Sequence, residues 1–415
     1  MKKSSGCRSF PLSEGVEVEW AWGNEALQNV DWTELDHFYA TERAYSVFLD
    51  TRMIRALLSS PERPLAILRW RRAGRLIGVA AVEDTCAESV GLEAHISSER
   101  PWFRWVNRML HGKDNRFQFQ VRVVGTVLGS GTHDQVWASD VNENHARRWL
   151  NETIFETIQL NGKSSPRVVM VKDDPILDHQ PRRVKHPGWI PLEFDPEMLL
   201  HLDPEWKDIE SYKAAMKTKG RTKINRILAI SDTLEMKAWD LGEIEQQGHK
   251  LIALYQQIYE RSGFRLGSLH HREFVESKRA WGDDFVVNGF YLVGQLVGFQ
   301  CAYVGVEETE AFFVGFDPEF IKTHAIYQRM LVEFIRIGLE RGSKRVNMGR
   351  TALEIKSSVG ALPRRLQCEV RFKNRLFHEV VRRYTRGYDP VQPVMRQPWK
   401  QDAYPPKAHL ELHSA

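Results

Sequence analysis

Cysteine is scarce in this chain. Cys7, Cys86, Cys301 and Cys368 are the only four among 415 residues, they lie far apart, and none forms a CxxC pair. That spacing argues against a structural zinc site and a disulfide framework, and a reducing cytoplasm fits it best. Long apolar runs are missing too: nothing approaches the roughly 18 residues of a membrane span. Met1 to Gly15 holds two lysines with no apolar stretch behind them, unlike a secretory signal. HExxH, GxSxG and catalytic-cysteine signatures are absent, which excludes the common metallopeptidase and hydrolase classes. No metal site is expected. Excess charge is small: the formal net charge is +4, too little for a protein that coats DNA, though it favours an anionic substrate.

Apolar side chains are plentiful: 42% of the chain is hydrophobic, with 13 Trp and 20 Phe, enough for two cores in a length that suits two domains. The sequence repeats itself. Pro64 to Asp84 reads PLAILRWRRAGRLIGVAAVED, and Phe285 to Glu308 reads FVVNGFYLVGQLVGFQCAYVGVEE. Gly74-Arg75-Leu76-Ile77-Gly78 aligns with Gly294-Gln295-Leu296-Val297-Gly298. The first glycine of each supplies a positive φ at a tight turn, and the second predicts a bulge or a close backbone approach. Two such hairpins, each preceded by helical sequence, point to a duplicated domain. The first copy is expected over 16–195, the second over 196–385, and 386–415 as an irregular proline-containing tail. Helical patterns at 32–58, 144–160, 206–230, 243–262 and 324–342 alternate with strand-like runs at 117–128, 167–171, 311–316 and 345–348. This alternation predicts a mixed α/β sheet.

The densest candidate chemistry runs from Ala311 to Val370. A strand ending at Phe316-Asp317-Pro318 leads to a helix whose apolar face includes Ile326, Met330, Phe334 and Ile337. Thr323 is placed to cap that helix. Free amides at Thr323 to Ile326, with Lys322 and His324 beside them, suit a pyrophosphate; an ordinary β–α crossover is the alternative. After the strand ending at Met348, Gly349 permits a sharp turn, and Arg350, Glu354 and Lys356 follow at the sheet's end, where α/β proteins build sites. Arg350 and Lys356 can hold a phosphate or carboxylate; a solvated loop with a local ion pair is the alternative. Other features are open to two readings each. Val124 to His133 is a glycine-rich flexible hairpin or a cleft lining. Lys213 to Arg226 is a basic helix facing a nucleic-acid phosphate, or a solvated amphipathic helix. Trp102 to Leu110 is a peripheral membrane contact or a packed insertion. His270-His271 has no metal-ligand spacing and reads as a helix start.

The segment GRTALEIKSSVGA (349–361), with GFDPEF (315–320) and YQRMLVEFIRIGLERG (327–342) before it, resembles the C-terminal signature of the FemAB-like (BioF-type acetyltransferase) branch of the GNAT acyltransferase superfamily. The tyrosine-then-basic run Ser211-Tyr212-Lys213…Lys219-Gly220-Arg221-Thr222-Lys223 and the duplicated hairpin extend the resemblance over most of 206–372, and weakly into the first half. It implies two tandem GNAT-like folds side by side, in which an amine attacks the carbonyl of an activated acyl donor directly. The donor is an acyl-CoA such as acetyl-CoA or, in FemAB relatives, an aminoacyl-tRNA delivered to a cell-wall precursor. The acceptor is then a small-molecule or cell-envelope amine. Glu354, Lys356, Arg350 and Tyr327 are the expected catalytic residues, with Glu354 as the base; Lys322, Thr323, His324 and Ala325 are expected at the donor. One departure stands out: Ile321 to Tyr327 contains no glycine, where acyl-CoA members carry a glycine-rich pyrophosphate loop. A duplicated fold kept as a non-catalytic scaffold in envelope or polysaccharide assembly is the third reading. The oligomeric state is not legible.

Overall fold

The structure, a computed structural model, describes residues 3–4, 7–61, 63–90, 116–133, 135–156, 168–176, 188–261, 264–385 and 394–400. The Trp102–Leu110 stretch and most of the expected tail lie outside these. Eighteen strands are described. In chain order they are β1 (Lys3–Ser4), β2 (Cys7–Pro11), β3 (Val16–Trp22), β4 (Leu65–Arg72), β5 (Arg75–Val90), β6 (Arg116–Val124), β7 (Gln135–Trp137), β8 (Val168–Pro175), β9 (Ile190–Glu193), β10 (Glu197–His201), β11 (Glu235–Ala238), β12 (Phe264–Leu266), β13 (Phe285–Leu292), β14 (Gln295–Val304), β15 (Glu308–Phe316), β16 (Arg345–Asn347), β17 (Leu362–Arg364) and β18 (Leu366–Phe372). They form two mixed sheets with helices against them, the expected α/β class. One sheet runs β1-β2-β3-β4-β5-β6-β8-β18-β9, with β7 and β12 also on β5; the other runs β11-β13-β14-β15-β16-β10-β17.

The two hairpins share their details. Ala73 and Gly74 have φ of 50° and 82°, and Val293 and Gly294 have 50° and 74°. Two successive positive φ values make the turn that matches the right-handed twist of the strands. Pairing skips Ile77 between Trp70↔Gly78 and Arg71↔Leu76, and skips Val297 between Phe290↔Gly298 and Tyr291↔Leu296. The second glycine directly follows the bulged residue on the same strand in both copies, and both glycines are tightly faced. A Cβ on Gly78 would lie 2.4 Å from the Trp137 ring, and one on Gly298 would lie 2.8 Å from Met330 Cε.

The halves are interleaved rather than merely adjacent. The chain leaves the first sheet after β9 and inserts β10 between β16 and β17 of the second. It leaves the second sheet after β17 and inserts β18 between β8 and β9 of the first. The first sheet also starts before residue 16, because β2 pairs along β3. One apolar core crosses between the halves, with Phe48, Met53 and Ile67 in the same cluster as Leu251, Phe274 and Tyr303. A buried arginine reinforces this. Arg63 Nε lies 2.6 Å from Glu273 Oε1, its Nη1 2.5 Å from Glu83 Oε1, and its Nη2 donates to the Ser268 carbonyl at 2.7 Å.

The expected single helix over 206–230 is two helices, Ile209–Ala214 and Thr218–Ile230. Between them Met216 bridges to Trp399, and Lys217 N donates to the Pro398 carbonyl at 2.8 Å. Trp399 stacks on Trp206 at 5.1 Å and donates from Nε1 to Gly360 O at 3.1 Å, so residues 394–400 form a strap on the second half. The break divides the basic face. Lys213 is buried, held by Glu210 at 2.7 Å and Asn225 at 2.8 Å.

Two outcomes are expected in urea unfolding. Arg63→Ala, which leaves two carboxylates buried without their cation, lowers stability by about 3–5 kcal/mol. Val293→Asn raises it by about 1 kcal/mol, since a branched residue leaves the left-handed region and this side chain is 95% exposed.

Candidate active site

The site begins where two parallel strands part. β15 and β16 are paired only at Glu308↔Arg345, Thr309↔Val346 and Glu310↔Asn347. Beyond that, β15 continues to Phe316 while the other strand ends and turns away. Gly349, Thr351 and Ala352 all have positive φ, at 65°, 66° and 48°. For a branched residue such as Thr351 that conformation is strained, and such strain gathers at functional sites. The turn is pinned by Gly349 N donating to Asn347 Oδ1 at 2.9 Å and by Met198 N donating to Gly349 O at 3.0 Å.

The turn delivers the short helix Leu353–Ser358, whose Lys356 reaches back under the fork. Its Nζ donates to the carbonyls of Gly349 and Arg350. It is buried, and burial pushes its ammonium down to about 7, against the opposing pull of Glu310 and Asp195. Glu310 is also buried, and its Oε2 has no hydrogen-bond partner. Burial, then the neighbouring carboxylates Glu308 and Glu197, push it well up; Lys356 and Arg364 pull the other way. Removal from water disfavours both charged forms, so the fork sets a carboxyl group pushed toward its neutral form beside an amine pushed down to about 7.

The surrounding charges are paired, most of them within the second half and one across to the first. Arg345 meets Glu308 at 2.5 Å; Arg364 pairs with Glu197, which Asn347 Nδ2 also approaches at 3.3 Å. Arg350 pairs with the fully buried Asp173 of β8. The loop Gly125–His133 closes this seam and is no flexible hairpin. Its next strand, β7, pairs with β5 rather than β6. A Cβ on Gly129 would strike the Phe48 ring at 2.6 Å, and one on Gly131 would lie 3.1 Å from Arg364. Lys172 Nζ anchors the loop through Thr126 O at 3.0 Å, and burial with the Lys172 charge pushes His133 down to about 3.

The expected residues fall into two groups and one outlier. Arg350 and Lys356 meet at the fork. Tyr327, Lys322, Thr323, His324 and Ala325 gather at the other end of β15, where the helix Ile326–Glu340 starts. Six residue steps along the strand separate Glu310 from Phe316, roughly 20 Å. The amides of Ile326, Tyr327 and Gln328 precede the first helical bond, Arg329 N to Ala325 O at 2.9 Å. Thr323 does not cap this helix. It closes a separate turn, Phe320–Thr323, and the cap position is Ala325 at φ 49° with no side-chain bond. His324 Nδ1 lies 2.9 Å from Thr323 Oγ1, and the Tyr327 hydroxyl is pushed up by burial.

Glu354 is the outlier. Its side chain is 56% exposed and paired with Arg396 at 2.5 Å, outside the fork. The buried carboxylate is Glu310, which sequence reasoning missed because it precedes the apolar run 311–316. The available signal was the alternation Glu308-Thr309-Glu310, which sets two acids on one strand face.

A cavity of about 710 Å³ lies between the helix Leu241–Tyr259 and Ser268–His271. Its Tyr255 ring meets Phe313 of β15 edge-on at 5.4 Å. His270 caps the helix His271–Trp281, as a helix start should. Among the described residues there is no group of three or more potential metal ligands and no helix long and apolar enough to cross a membrane.

No family model and no curated protein matches this sequence. Solved structures similar to it include a tandem GNAT protein from the clavulanic acid biosynthesis pathway, at 10% identity over 86% of this chain and 99% of that one, with a TM-score of 0.47. A second is the C-terminal domain of a putative lysylphosphatidylglycerol synthetase from Agrobacterium fabrum, at 9% identity, 88% and 99% coverage and a TM-score of 0.46. A third is FemX, at 10% identity, 85% and 99% coverage and a TM-score of 0.45.

The Lys356 assignment has a stability signature. Between about 7 and 10.5 the unfolded lysine binds a proton that the folded one does not, so its contribution to stability rises with pH. Relative to Lys356→Met, the wild type should gain up to about 1.4 kcal/mol per pH unit across that window, measured by urea unfolding at pH 7, 8.5 and 10.

Proposed function

We propose that this protein is an acyltransferase that moves an acyl or aminoacyl group from an activated donor to an amine. The supporting observation is the fork: a parallel strand pair that opens after three residues, with a proton-exchanging amine and acid at its closed end and a helix N-terminus at its far end. The donor's anionic part lies against the amides of Ile326 to Gln328, with Lys322 and His324 beside them. Its reactive carbonyl lies toward Glu310 and Lys356. The acceptor amine attacks, a C–N bond forms, and the C–S or C–O bond to the leaving group breaks. Neutral Lys356 accepts the amine's proton, and the protonated Glu310 donates a hydrogen bond to the charge developing on oxygen. Arg350, tied to Asp173, presents the carbonyl that orients Lys356. Tyr327 lines the donor's path, Thr323 and Ala325 shape the helix entrance, and Glu354 acts outside the fork by holding Arg396. The cavity beside Tyr255 gives the acceptor room.

Acetyl-CoA or a longer acyl-CoA is the first donor to test. An aminoacyl-tRNA is the second reading. It is favoured by the glycine-free stretch Ile321–Tyr327 and by the cations Lys219, Lys223 and Arg396, close enough together that burial and then Arg396 push Lys223 down. The acceptor in either case is a small-molecule or cell-envelope amine. Release of free CoA across an amine panel should show a rate that rises with pH through about 7. In Lys356→Met the rate should fall by about 10²-fold or more and lose that limb. Transfer within threefold of wild type in both Lys356→Met and Glu310→Gln would overturn the assignment.

A further inference from the structure

The helix that carries Lys356 has six residues, Leu353–Ser358, and no side chain caps its start at Ala352. A helix that short is not stable by itself, so contacts from elsewhere in the chain set where its lysine points. The strap 394–400 supplies several. Arg396 N donates to Ser357 Oγ at 2.9 Å, and its guanidinium pairs with Glu354 at 2.5 Å. Trp399 Nε1 donates to Gly360 O at 3.1 Å, and its ring fills the space that a Cβ on Gly360 would need. Tyr212, edge-on to Trp399 at 5.2 Å, donates its hydroxyl to Val359 O. The strap is fastened on its other side as well. Lys217 N donates to Pro398 O at 2.8 Å, and Lys400 donates from N to Ala215 O at 3.2 Å and from Nζ to Ala214 O at 2.8 Å. It therefore joins the junction of the helices Ile209–Ala214 and Thr218–Ile230 to the end of the lysine's helix. The charged groups that act on Lys356 are Glu310 on β15 and Asp195 ahead of β10, and neither belongs to the strap. Its Nζ donates to the carbonyls of Gly349 and Arg350, again outside the strap. The strap thus acts on this amine through the place of the helix rather than through charge.

We infer that Trp399 and Arg396 are positioning residues for Lys356: through them the strap holds the short helix so that the amine stays beneath the Gly349 and Arg350 carbonyls and out of water. Trp399 carries the larger share. It is 5% exposed and stacked on Trp206 at 5.1 Å, and packed rings fix orientation. The Arg396–Glu354 pair lies in water, where such a pair contributes little. Released from the strap, the helix opens Lys356 to water, and the ammonium form is favoured again. This role rests on the acyl-transfer reading only for what the amine does. Unfolding reads it without donor or acceptor, so a failure of transfer and a failure of the strap are told apart.

Urea unfolding of the full chain at pH 7, 8.5 and 10 gives the ratio of folding constants with Lys356 present and in Lys356→Met, for an intact and for an altered strap. With the strap intact the ratio should rise by up to about tenfold per pH unit, because the unfolded lysine binds a proton that the folded one does not. In Trp399→Phe, which keeps a ring but loses the Nε1 donor, the rise should fall below about threefold per pH unit, since an amine in water keeps its proton up to about 10.5. Arg396→Ala should show a smaller loss of the same sign, and Arg396→Lys should restore the rise; this pair serves alone should Trp399→Phe unfold. A strap that only adds stability would lower the folding constant equally at all three pH values and leave the rise unchanged. That result in the folded variants would overturn the inference, and so would a ratio in the wild type that does not change with pH.

Discussion

Everything in this molecule depends on the exchange of one strand between its two sheets. Without β18, the strand β8 would present a bare edge beside buried Val169 and Val171; without β10, β16 would do the same. Unpaired edges of apolar strands are unstable in water and invite association. The first sheet therefore needs a strand that the second half's chain supplies, and it does not close without it. The crossings fall at 194–196 and at Arg365, so the chain passes between the two sheets twice, close to the seam where Arg350 meets Asp173.

That seam explains the charge chemistry. Arg350 from the second half meets Asp173 from the first, Arg364 and Glu197 are roofed by the Gly125–His133 loop, and Arg63 joins Glu83 to Glu273. Ion pairs removed from water gain little net stability, but breaking one is expensive. The pairs therefore act mainly on geometry: they hold the carbonyl of Arg350 where Lys356 needs it. The same exclusion of water moves Lys356 and Glu310 toward neutral forms. Burial, interface and reactivity are one arrangement seen from three sides.

The aromatic residues do related work. Phe48 lies between the seam loop and β15, 4.8 Å from His133 and 6.1 Å from Phe312. Trp399, Trp206 and Tyr212 form a second cluster that ties the 394–400 strap to the two helices at 209–230. Stacked and edge-on rings lock orientation as well as burying area, which suits a strap lying over the short helix that carries Lys356.

Local rules were legible in the sequence because local physics sets them. The paired positive φ values at 73–74 and 293–294, the bulges beside Gly78 and Gly298, the helix start at His270 and the mixed α/β class follow from residue type and spacing alone. The placement of Arg350 and Lys356 beside a strand end was legible for the same reason. Which groups lose their water was not. Glu354 and Glu310 look equally acidic in sequence, yet one pairs with Arg396 in solvent and the other is buried on a central strand of the second sheet. Thr323 looked like a cap until Ala325 took the left-handed position, and Lys213 looked like part of a basic face until the chain broke at Met216. Desolvation and strand exchange depend on residues more than a hundred positions apart, so only the tertiary structure decided them.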